Sequence, residues 1–382
     1  MPVDYSVKAP ILFGPGAIKE LGERVKQTGA KKPMLICDPN LTQEIYDKAT
    51  NSVKAAGLDY VLFKETERDA TIEVIDRCGE IANREGVDCI VGIGGGSSID
   101  SAKAAAILLS HPGPIKQYIL AKPVYVEVDV PIILVPTTAG TGSECTQVAV
   151  VKRTDLNMKW SVFVKLTQAI IDPELTLTVP PSVTAYTGMD ALAHAIEGVT
   201  SNNPNPLSHA CGLDAIRKIA RNLYKAYANG SDLEARTEMA AAAHLAGIAF
   251  DDPLTHVGHA TADGMSIVFH TAHGVGCGLA IPEVCALVGS VVPERMKEIA
   301  EAMEIPLKGD ESGEQLGQLC AQWCRDLMHA MKMPSLKEQG FPREKMEEVA
   351  HETETSHLSV FCPVKITHER AIAFAYAVYD NY

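Results

Sequence analysis

The sequence predicts two domains of different class, an α/β domain with a parallel sheet over residues 1–182 and an all-helical domain over residues 183–382. Three observations predict this division. Short apolar runs alternate with amphipathic helical stretches in the first half of the chain. Beyond about residue 182, strand signals almost vanish and long Ala- and Leu-rich helical patterns continue to the end. The length of 382 residues also exceeds what one hydrophobic core usually holds.

The elements of the first domain follow one another along the chain. PMLICD (33–38) is typical of a strand, and QEIYDKATNSVKAAG is typical of a helix that ends at Gly57. DYVLFKE predicts the next strand, and ATIEVIDRCGEIANREG predicts a helix that ends at Gly86. VDCIVGIGGGSSIDSAKAAAILLS predicts a strand, a glycine turn and a helix, and VPIILVPTTAGTGSE predicts a strand before a Thr- and Gly-rich turn. AIIDPELTLTVPP is the last extended segment, and its two prolines mark a break.

Composition and charge exclude several classes of protein. The net charge of -14 argues against binding to nucleic acid or to an anionic membrane, because both would need clustered Lys and Arg. No apolar run approaches the roughly 18 residues of a membrane span. The 10 cysteines are scattered without CxxC pairs, and the chain begins without a signal peptide pattern, which suits reduced thiols in the cytoplasm. The expected partner is therefore a small-molecule substrate.

Four residues of the second domain have side chains and spacings suited to one divalent metal ion. Asp190 and His194 are four residues apart in an apolar helical segment, so both project from the same face. His259 and His273 are fourteen residues apart, so one helix or a helix pair could bring them to one side. Three imidazoles and a carboxylate suit Fe(II) or Zn(II) better than Mg or Ca. Any one of these histidines alone would more often be an ordinary core or surface residue, and their grouping favours the metal site.

Two turns of the first domain are suited to binding a dinucleotide. The GGGS segment at residues 94–97 lies between a strand and a helix, where bare backbone and free N–H groups can bind a phosphate. It is not a Walker A loop, and it departs from GxGxxG because Ser97 stands where the third glycine should. The segment TTAGTGSE (137–144) follows another buried strand and could hold the ribose and pyrophosphate from the opposite side. An ordinary structural turn is the alternative for each, and the two together favour a dinucleotide site.

Asp38, at the carboxyl end of the predicted strand PMLICD, is a candidate for binding the adenosine ribose. Its carboxylate could accept hydrogen bonds from the ribose diol, and its charge would repel a 2′-phosphate, which favours NAD over NADP. The position alone is about equally typical of a helix N-cap.

Four segments carry a resemblance to a known family, in this order: GIGGGSSIDSAK, VPTTAGTGSE, AIIDPELTLTVPPSVTAYTGMDALAHAIE and HATADGMSIVFHTAHGVG. They resemble the iron-containing (group III) alcohol dehydrogenase family, and FGPGAIKELGERV and CPVKITHERAIAFAYAVY resemble the two ends of that family. The resemblance implies a Rossmann-like NAD(H) domain, an all-α domain and a catalytic metal in the cleft between them. It also implies a homodimer or a larger homo-oligomer.

The resemblance assigns site residues one by one. It places the metal ligands on the four residues that spacing indicates, with Fe(II) first and Zn(II) or Mn(II) as alternatives. The cofactor contacts that it implies are Asp38, Gly95, Gly96, Ser97, Thr138, Thr141, Lys159 and Leu177.

The chain departs from the family pattern at three places. Many members have a second histidine four residues after the third ligand, where this chain has Asp263. The usual Pro-Asn-Pro turn is Arg-Asp-Ala at residues 68–70, and a later Asn-Pro is Cys-Pro at residues 362–363. We expect Asp263 or His270 to transfer the substrate proton, and a structural role is the alternative for His270.

The expected function is NAD(H)-dependent interconversion of a small, polar primary alcohol and its aldehyde, with the metal polarising the substrate oxygen. A diol, a hydroxyalkyl anion and a short alkanol all fit this description, and one alternative is a reductase of a small anionic aldehyde such as sulfoacetaldehyde. Asp251, Asp252 and His256, just before the third ligand, favour a polar pocket rim.

Two other classes of function are weaker alternatives. A metal-dependent lyase of the dehydroquinate synthase type would need a basic cluster to bind its substrate. The basic residues between the second and third ligands instead have the pattern of a solvated helix face: Arg217, Lys218, Arg221, Lys225 and Arg236. A non-catalytic metal-binding bundle would leave both nucleotide-type turns unexplained.

Overall fold

The computed structural model describes residues 5–382, which form two compact units. One unit contains Val7–Thr138 and Gly142–Thr178, and the other contains Ala139–Thr141 and Val179–Tyr382. Within the described chain, every strand belongs to the first unit, and the second unit is helical. The predicted combination of an α/β domain and an all-α domain is therefore confirmed.

The first unit contains two sheets. Its strands are β1 (Ile11–Phe13), β2 (Pro33–Cys37), β3 (Val61–Phe63), β4 (Cys89–Gly94), β5 (Val124–Val126), β6 (Ile132–Pro136), β7 (Val148–Arg153), β8 (Met158–Val164) and β9 (Gln168–Ile171). Six of them form a parallel sheet in the order β1-β9-β6-β4-β2-β3. The other three form a sheet in the order β5-β8-β7, in which β7 and β8 are antiparallel. The sequence patterns did not indicate this smaller sheet.

Helices cover both faces of the parallel sheet. They are α1 (Leu21–Gln27), α2 (Gln43–Ala55), α3 (Ile72–Glu85) and α4 (Gly96–Ser110). Met34 and Ile36 of β2 share a core with α3 and α4, and Leu35 and Cys37 share a core with α1 and α2. Because successive side chains of a strand point to opposite faces, burial of both faces explains the uninterrupted apolar runs of these strands.

The direction of winding changes between β2 and β4, which are neighbours in the sheet. The helix after β2 lies on one face and the helix after β4 lies on the other. Their connections therefore diverge at the carboxyl ends of the strands, and ligands of open α/β sheets bind in the crevice that such a divergence creates. The predicted ribose residue Asp38 and the GGGS turn both lie at this edge.

The second unit consists of nine described α-helices. They are α5 (Pro181–Thr200), α6 (Pro206–Ala228), α7 (Leu233–Asp251), α8 (Val257–Phe269), α9 (His273–Val288), α10 (Pro293–Ala302), α11 (Gly313–Ala330), α12 (Met346–Thr355) and α13 (His368–Asp380). Every residue of α5 from Gly188 to Thr200 is buried, so this helix lies in the middle of the core, as its apolar character on all sides requires. None of the described helices is long and apolar enough to span a membrane.

Arg236 of α7 corrects one expectation from the sequence. The solvated face predicted for it is wrong, because Arg236 is only 3% exposed. Its guanidinium donates hydrogen bonds to the carbonyl of Val179 at 3.0 Å and to Thr184 Oγ1 at 2.8 Å. A third bond reaches the carbonyl of Gly230 at 3.0 Å. The residue therefore fixes the first turn of α5, the helix on which Asp190 and His194 lie.

Glycine allows close packing between α5 and α7. A Cβ at Gly198 would lie 2.5 Å from the carbonyl oxygen of Ala249 and 3.2 Å from the backbone nitrogen of Phe250. Both contacts are with backbone atoms, which cannot move aside by changing a rotamer. The absence of a side chain at this position thus sets the distance between the two helices.

Gly198→Ala should therefore destabilise the protein although alanine favours helix. Overpacking of this kind costs about 1–3 kcal/mol, and denaturant unfolding measures the loss of unfolding free energy. The control is Asn51→Ala on the exposed side of α2, which should change that free energy by less than about 0.5 kcal/mol. Equal stability of the Gly198 variant and the wild type would contradict this account of the helix packing.

Candidate functional site

Three helices bring the four predicted metal ligands together. Asp190 and His194 are one turn apart in the middle of α5, His259 lies in the first turn of α8, and His273 is the first residue of α9. His270 ends α8 in the left-handed conformation, with φ 57°, so the chain reverses before α9 begins. The fourteen-residue spacing is thus spanned by a helix pair, one of the two arrangements expected from the sequence.

A glycine places the start of α9 against α5. A Cβ at Gly274 would lie 2.4 Å from the carbonyl oxygen of Tyr186 and 3.4 Å from the Cβ of Asp190. Only glycine leaves room for this approach. The residue that follows His273 therefore allows its imidazole to reach the carboxylate on the neighbouring helix.

The imidazole nitrogens surround one oxygen of Asp190. The Oδ1 atom lies 3.9 Å from His194 Nδ1, 3.6 Å from His259 Nε2 and 3.8 Å from His273 Nε2. These separations are too long for hydrogen bonds. Two atoms that bind one ion tetrahedrally at about 2.1 Å lie about 3.4 Å apart, so the spacing is close to that of shared ligands.

Three of these atoms are buried and lack a hydrogen-bond partner among the described residues: Asp190 Oδ1, His194 Nδ1 and His259 Nε2. An unsatisfied buried polar group costs about 1–3 kcal/mol, and more when it is charged. A cation bound by all three would remove that cost. The donor set and its orphaned atoms therefore fit a divalent transition metal.

Glu197, one turn after His194 on α5, orients His259. It is fully buried, and its Oε2 contacts His259 Nδ1 while its Oε1 accepts a hydrogen bond of 2.7 Å from the backbone of Gly258. The contact with Nδ1 turns Nε2 of His259 towards Asp190. Metal-binding histidines commonly have such a carboxylate behind them. This role was not predicted from the sequence, although the spacing of Glu197 from Asp190 on one helix was a signal.

The electrostatics of the cluster favour a cation. Burial alone would raise the pKa of Asp190, but the surrounding imidazoles, His194 first, hold it below its usual range. Burial lowers the pKa of His194 to about 3, so this ring is neutral and able to bind a metal. Burial also lowers the pKa values of His259 and His273, but the groups around them, Cys277 first, raise both well above the ordinary value. A positive charge at this place is therefore stabilised.

The two residues predicted for proton transfer lie in different surroundings. Asp263 lies one turn after His259 on α8, and its Oδ1 is 3.4 Å from Nδ1 of His273. Asp263 is thus placed behind His273 much as Glu197 is behind His259. His270 is exposed in the turn between α8 and α9.

Cys277 is a further potential donor that the sequence analysis did not identify. Its sulfur lies 3.4 Å from His273 Nε2. Donor atoms of Asp190, His259, His273 and Cys277 all lie within 4.8 Å of one another. The signal available in the sequence was the spacing of four residues from His273 along a helix.

The polar pocket rim expected from His256 is wrong. His256 is 0% exposed, and its Nε2 is 2.9 Å from Thr200 Oγ1 while its Nδ1 is 3.1 Å from Glu197 Oε1. It supports the buried network and is not available to a substrate. Asp251 and Asp252 are partly exposed.

At the edge of the parallel sheet, Asp38 lies beside the GGGS turn. Its backbone N–H donates to the carbonyl of Ile93 in β4 at 3.0 Å, and its Oδ1 accepts hydrogen bonds from Asn40. Gly94 has φ 157°, and a Cβ there would lie 2.7 Å from Ser98 Cβ and 3.0 Å from Asp38 Cβ. Glycine is therefore required where the two strand ends meet.

The second predicted turn lies next to the first. The backbone N–H of Thr137 donates to the carbonyl of Gly94 at 2.9 Å, and a Cβ at Gly95 would be 3.5 Å from Thr138 Oγ1. Gly95 is the N-cap of α4 and Gly96 is its first residue. The structure thus brings together the backbone N–H groups of a helix start and the hydroxyl of Thr138, an arrangement suited to a phosphate.

A buried lysine holds the chain that follows this turn. Lys103 of α4 is 0% exposed, and its ammonium donates to Ser143 Oγ at 2.7 Å and to the carbonyl of Val148 at 2.6 Å. Asp100 accepts from Ser143 Oγ at 2.5 Å and from the backbone of Val150 at 3.0 Å. The charged pair is fully hydrogen-bonded, as burial of charge requires.

The remaining predicted cofactor residues have varied positions. Lys159 of β8 forms an ion pair with Asp69 at 2.7 Å, and the backbone N–H of Asp69 donates to Ser97 Oγ at 3.2 Å. Asp69, in the segment that departs from the family pattern, therefore connects Ser97 and Lys159. Leu177 is half-buried after the short 3-10 turn that follows β9, and Thr141 belongs to the segment that clusters with the helical unit.

Comparisons with known proteins identify the family. The profile described as iron-containing alcohol dehydrogenase matches residues 9–173, and that of the C-terminal domain of the Fe-containing alcohol dehydrogenase family matches residues 184–379. The chain therefore belongs to the iron-containing alcohol dehydrogenase family, as the resemblance of its motifs predicted. It is an oxidoreductase of the NAD-dependent alcohol dehydrogenase type.

The names of individual relatives describe different activities. The choline dehydrogenase of Bacillus subtilis (strain 168) is 35% identical over 362 residues, which cover 91% of this chain and 88% of that protein. The crystal structure of a 1,3-propanediol oxidoreductase has a TM-score of 0.93 and 32% identity, with 99% of this chain and 100% of that chain covered. The sulfoacetaldehyde reductase from Bifidobacterium kashiwanohense, in complex with NAD+, has a TM-score of 0.88 and 27% identity, with 100% of both chains covered. Family membership implies that the chain binds a metal and NAD(H).

Glu197→Gln should weaken metal binding while the fold persists. The amide keeps the shape of the side chain but loses the charge that faces His259, and loss of such a partner costs about 10–100-fold in metal affinity. Competition with a chromogenic chelator measures the dissociation constant for Zn(II).

The matched control is Glu283→Gln, a second glutamate that is largely buried and that pairs with Arg325 near the other end of α9. This variant should lose stability and keep its metal affinity. A similar loss of affinity in both variants would mean that Glu197 acts only through the fold.

Proposed function

We propose that the protein interconverts a small, polar primary alcohol and its aldehyde with NAD(H), and that a divalent ion held by Asp190, His194, His259 and His273 is required. The observation that carries this proposal is the convergence of three buried, unpartnered donor atoms beside His273. Three imidazoles and one carboxylate match the preferences of Fe(II) and Zn(II). The family description supports Fe(II) as the first candidate, with Zn(II) and Mn(II) as alternatives.

A divalent ion held there supplies Lewis acidity towards the substrate oxygen, and NAD(H) carries the hydride. The protein contributes orientation. Glu197 and Asp263 hold the rings of His259 and His273 by their Nδ1 atoms, which directs both Nε2 atoms to Asp190. Phe250 stacks on His194 with ring centroids 4.2 Å apart and covers one side of that imidazole.

We propose that residues at the carboxyl edge of the parallel sheet contact the cofactor. Gly95, Gly96 and Ser97 offer the start of α4 to a phosphate, and Thr138 adds a hydroxyl beside Gly95. The carboxylate of Asp38 would accept hydrogen bonds from the ribose hydroxyls, and its negative charge would repel a 2′-phosphate. The proposed set also includes Thr141, Lys159 and Leu177.

We propose that the net charge of the substrate is zero or positive. Among the described residues of the cluster, the ion pairs join imidazoles to carboxylates, and Asp263 adds a partly exposed carboxylate next to His273. The proposed divalent ion offsets part of the carboxylate charge, but the Asp263 carboxylate would still repel an anionic group beside His273, whereas it would not repel a hydroxyl or a quaternary ammonium group. Two relatives, described as choline dehydrogenase and 1,3-propanediol oxidoreductase, have names that fit this preference, whereas the sulfoacetaldehyde reductase among the relatives does not.

Metal removal and a substrate panel test this proposal together. Chelation should abolish NADH oxidation, and Fe(II) should restore it under anaerobic conditions, whereas Mg(II) should not. For the reloaded enzyme, kcat/KM should be at least about tenfold higher with 3-hydroxypropanal than with sulfoacetaldehyde, which corresponds to about 1.4 kcal/mol. Butanal is the control for an uncharged aldehyde without a second polar group. Full turnover in a verified metal-free preparation would contradict the metal requirement, and a preference for sulfoacetaldehyde would contradict the charge argument.

Asp263→Asn separates orientation of His273 from proton transfer. If the carboxylate holds the ring, metal affinity should fall by about 10–100-fold, and the metal-saturated variant should keep the pH–rate profile of the wild type. Proton transfer by Asp263 would instead remove one limb of that profile. Asp214→Asn on the exposed side of α6 is the control and should change neither quantity. Unchanged metal affinity in the Asp263 variant would contradict the orienting role.

A further inference from the structure

We propose that Cys277 provides a sulfur ligand to the same divalent ion as Asp190, His259 and His273. The inference rests on the metal site proposed above and extends it. Neither the spacing argument nor the resemblance of the motifs assigned a cysteine to this site.

The helix geometry places the sulfur on the metal side of α9. His273 is the first residue of that helix and Cys277 follows one turn later, so both side chains project from one face. The sulfur lies 3.4 Å from His273 Nε2, the nitrogen that faces Asp190. Nδ1 of the same ring faces Asp263 instead. Cys277 is therefore beside the metal-directed nitrogen and away from the orienting carboxylate.

The distances agree with a shared ion. Zinc is bound by sulfur at about 2.3 Å and by nitrogen at about 2.1 Å, so angles of about 90–120° at the ion separate the two ligand atoms by about 3.1–3.8 Å. The observed separation of 3.4 Å from His273 lies within this range. The sulfur also belongs to the set of four donor atoms that lie within 4.8 Å of one another. Two members of that set, Asp190 Oδ1 and His259 Nε2, are buried atoms without a hydrogen-bond partner.

The hydrophobic core of the helical unit buries several cysteines, among them Cys277, Cys285, Cys320 and Cys324. Such cysteines behave as small apolar side chains. Cys277 is 1% exposed, but it also contacts an imidazole nitrogen next to unsatisfied donors. This polar contact is explained either by a hydrogen bond from the thiol to the ring or by an ion that both atoms bind.

A thiolate ligand would alter the choice of metal. Sulfur is a soft donor that binds iron and zinc well and is a poor ligand for Mg or Ca. The chain would then hold the ion with five side chains, because His194 Nδ1 also faces Asp190 Oδ1 at 3.9 Å. This makes the site more selective for transition metals than three imidazoles and a carboxylate alone.

Cobalt provides a readout that does not depend on turnover. The full-length protein is stripped of metal and loaded with one equivalent of Co(II). Visible ligand-field absorption shows that the ion is bound by the protein, and an intense near-ultraviolet band reports charge transfer from sulfur to Co(II). The wild type should show both signals. Cys277→Ser should keep the visible absorption and lose the near-ultraviolet band, and the control Cys285→Ser, on the same helix, should keep both.

Each other outcome overturns the proposal. Bound Co(II) without the near-ultraviolet band in the wild type would show that no sulfur is coordinated. A band that persists in Cys277→Ser would assign the sulfur to a different residue. Failure of Co(II) to bind at all would remove the proposed metal site itself, which distinguishes that failure from an error about Cys277 alone.

A measurement on the wild type covers the case in which Cys277→Ser does not fold. X-ray absorption of the Zn(II)-loaded protein should show one sulfur scatterer at about 2.3 Å in addition to nitrogen and oxygen at about 2.0–2.1 Å. A first shell of nitrogen and oxygen alone would overturn the proposal.

Discussion

The buried carboxylate of Asp190 is the constraint on which the functional half of this protein depends. The Oδ1 atom lies among three imidazoles at distances of 3.6 to 3.9 Å, and no described side chain forms a hydrogen bond with it. An ionised group in a dry interior is stable only when opposite charge lies nearby. A cation bound by residues of α5, α8 and α9 would supply that charge. The need for nearby positive charge also explains the positions of residues that lie behind the proposed ligands and would not bind the ion.

Two carboxylates and two glycines set the geometry around that point. Glu197 contacts His259, and Asp263 lies beside His273, each at the ring nitrogen that faces away from Asp190. A Cβ at Gly258 would lie 2.9 Å from Glu197 Oε1, and a Cβ at Gly274 would lie 2.4 Å from a backbone oxygen of α5. Small residues thus allow the helices to approach until the charges meet. Both orientation and close packing are needed, because an imidazole too far from Asp190 could neither bind the same ion nor offset the buried charge.

A different physical rule brings residues together at the edge of the parallel sheet. There, the carboxyl ends of parallel strands lie side by side, and β2, β4 and β6 are neighbours. The turns that follow these strands meet because the strand ends are neighbours, and Gly94 is required because a Cβ would collide with Ser98 and crowd Asp38. The departure at Asp69 fits into this edge, because that carboxylate binds Lys159 and its backbone binds Ser97. The Arg-Asp-Ala turn thus contributes a charged side chain and a backbone donor to the proposed cofactor site.

The sequence by itself determined the two fold classes, the order of most elements, the family and the three histidines that converge on Asp190 Oδ1. Each of these depends on local information: apolar periodicity, glycine at strand ends and donor residues at helical spacing. It did not determine the sheet formed by β7 and β8, the burial of Arg236 and His256, or the positions of Glu197 and Cys277 beside the cluster. Apart from the local β7–β8 hairpin and the one-turn spacing of Cys277 from His273, those features arise from contacts between segments far apart in the chain. Only the tertiary structure decides them, because a residue's surroundings, and with them its charge and chemistry, are set by the helices and strands that pack against it.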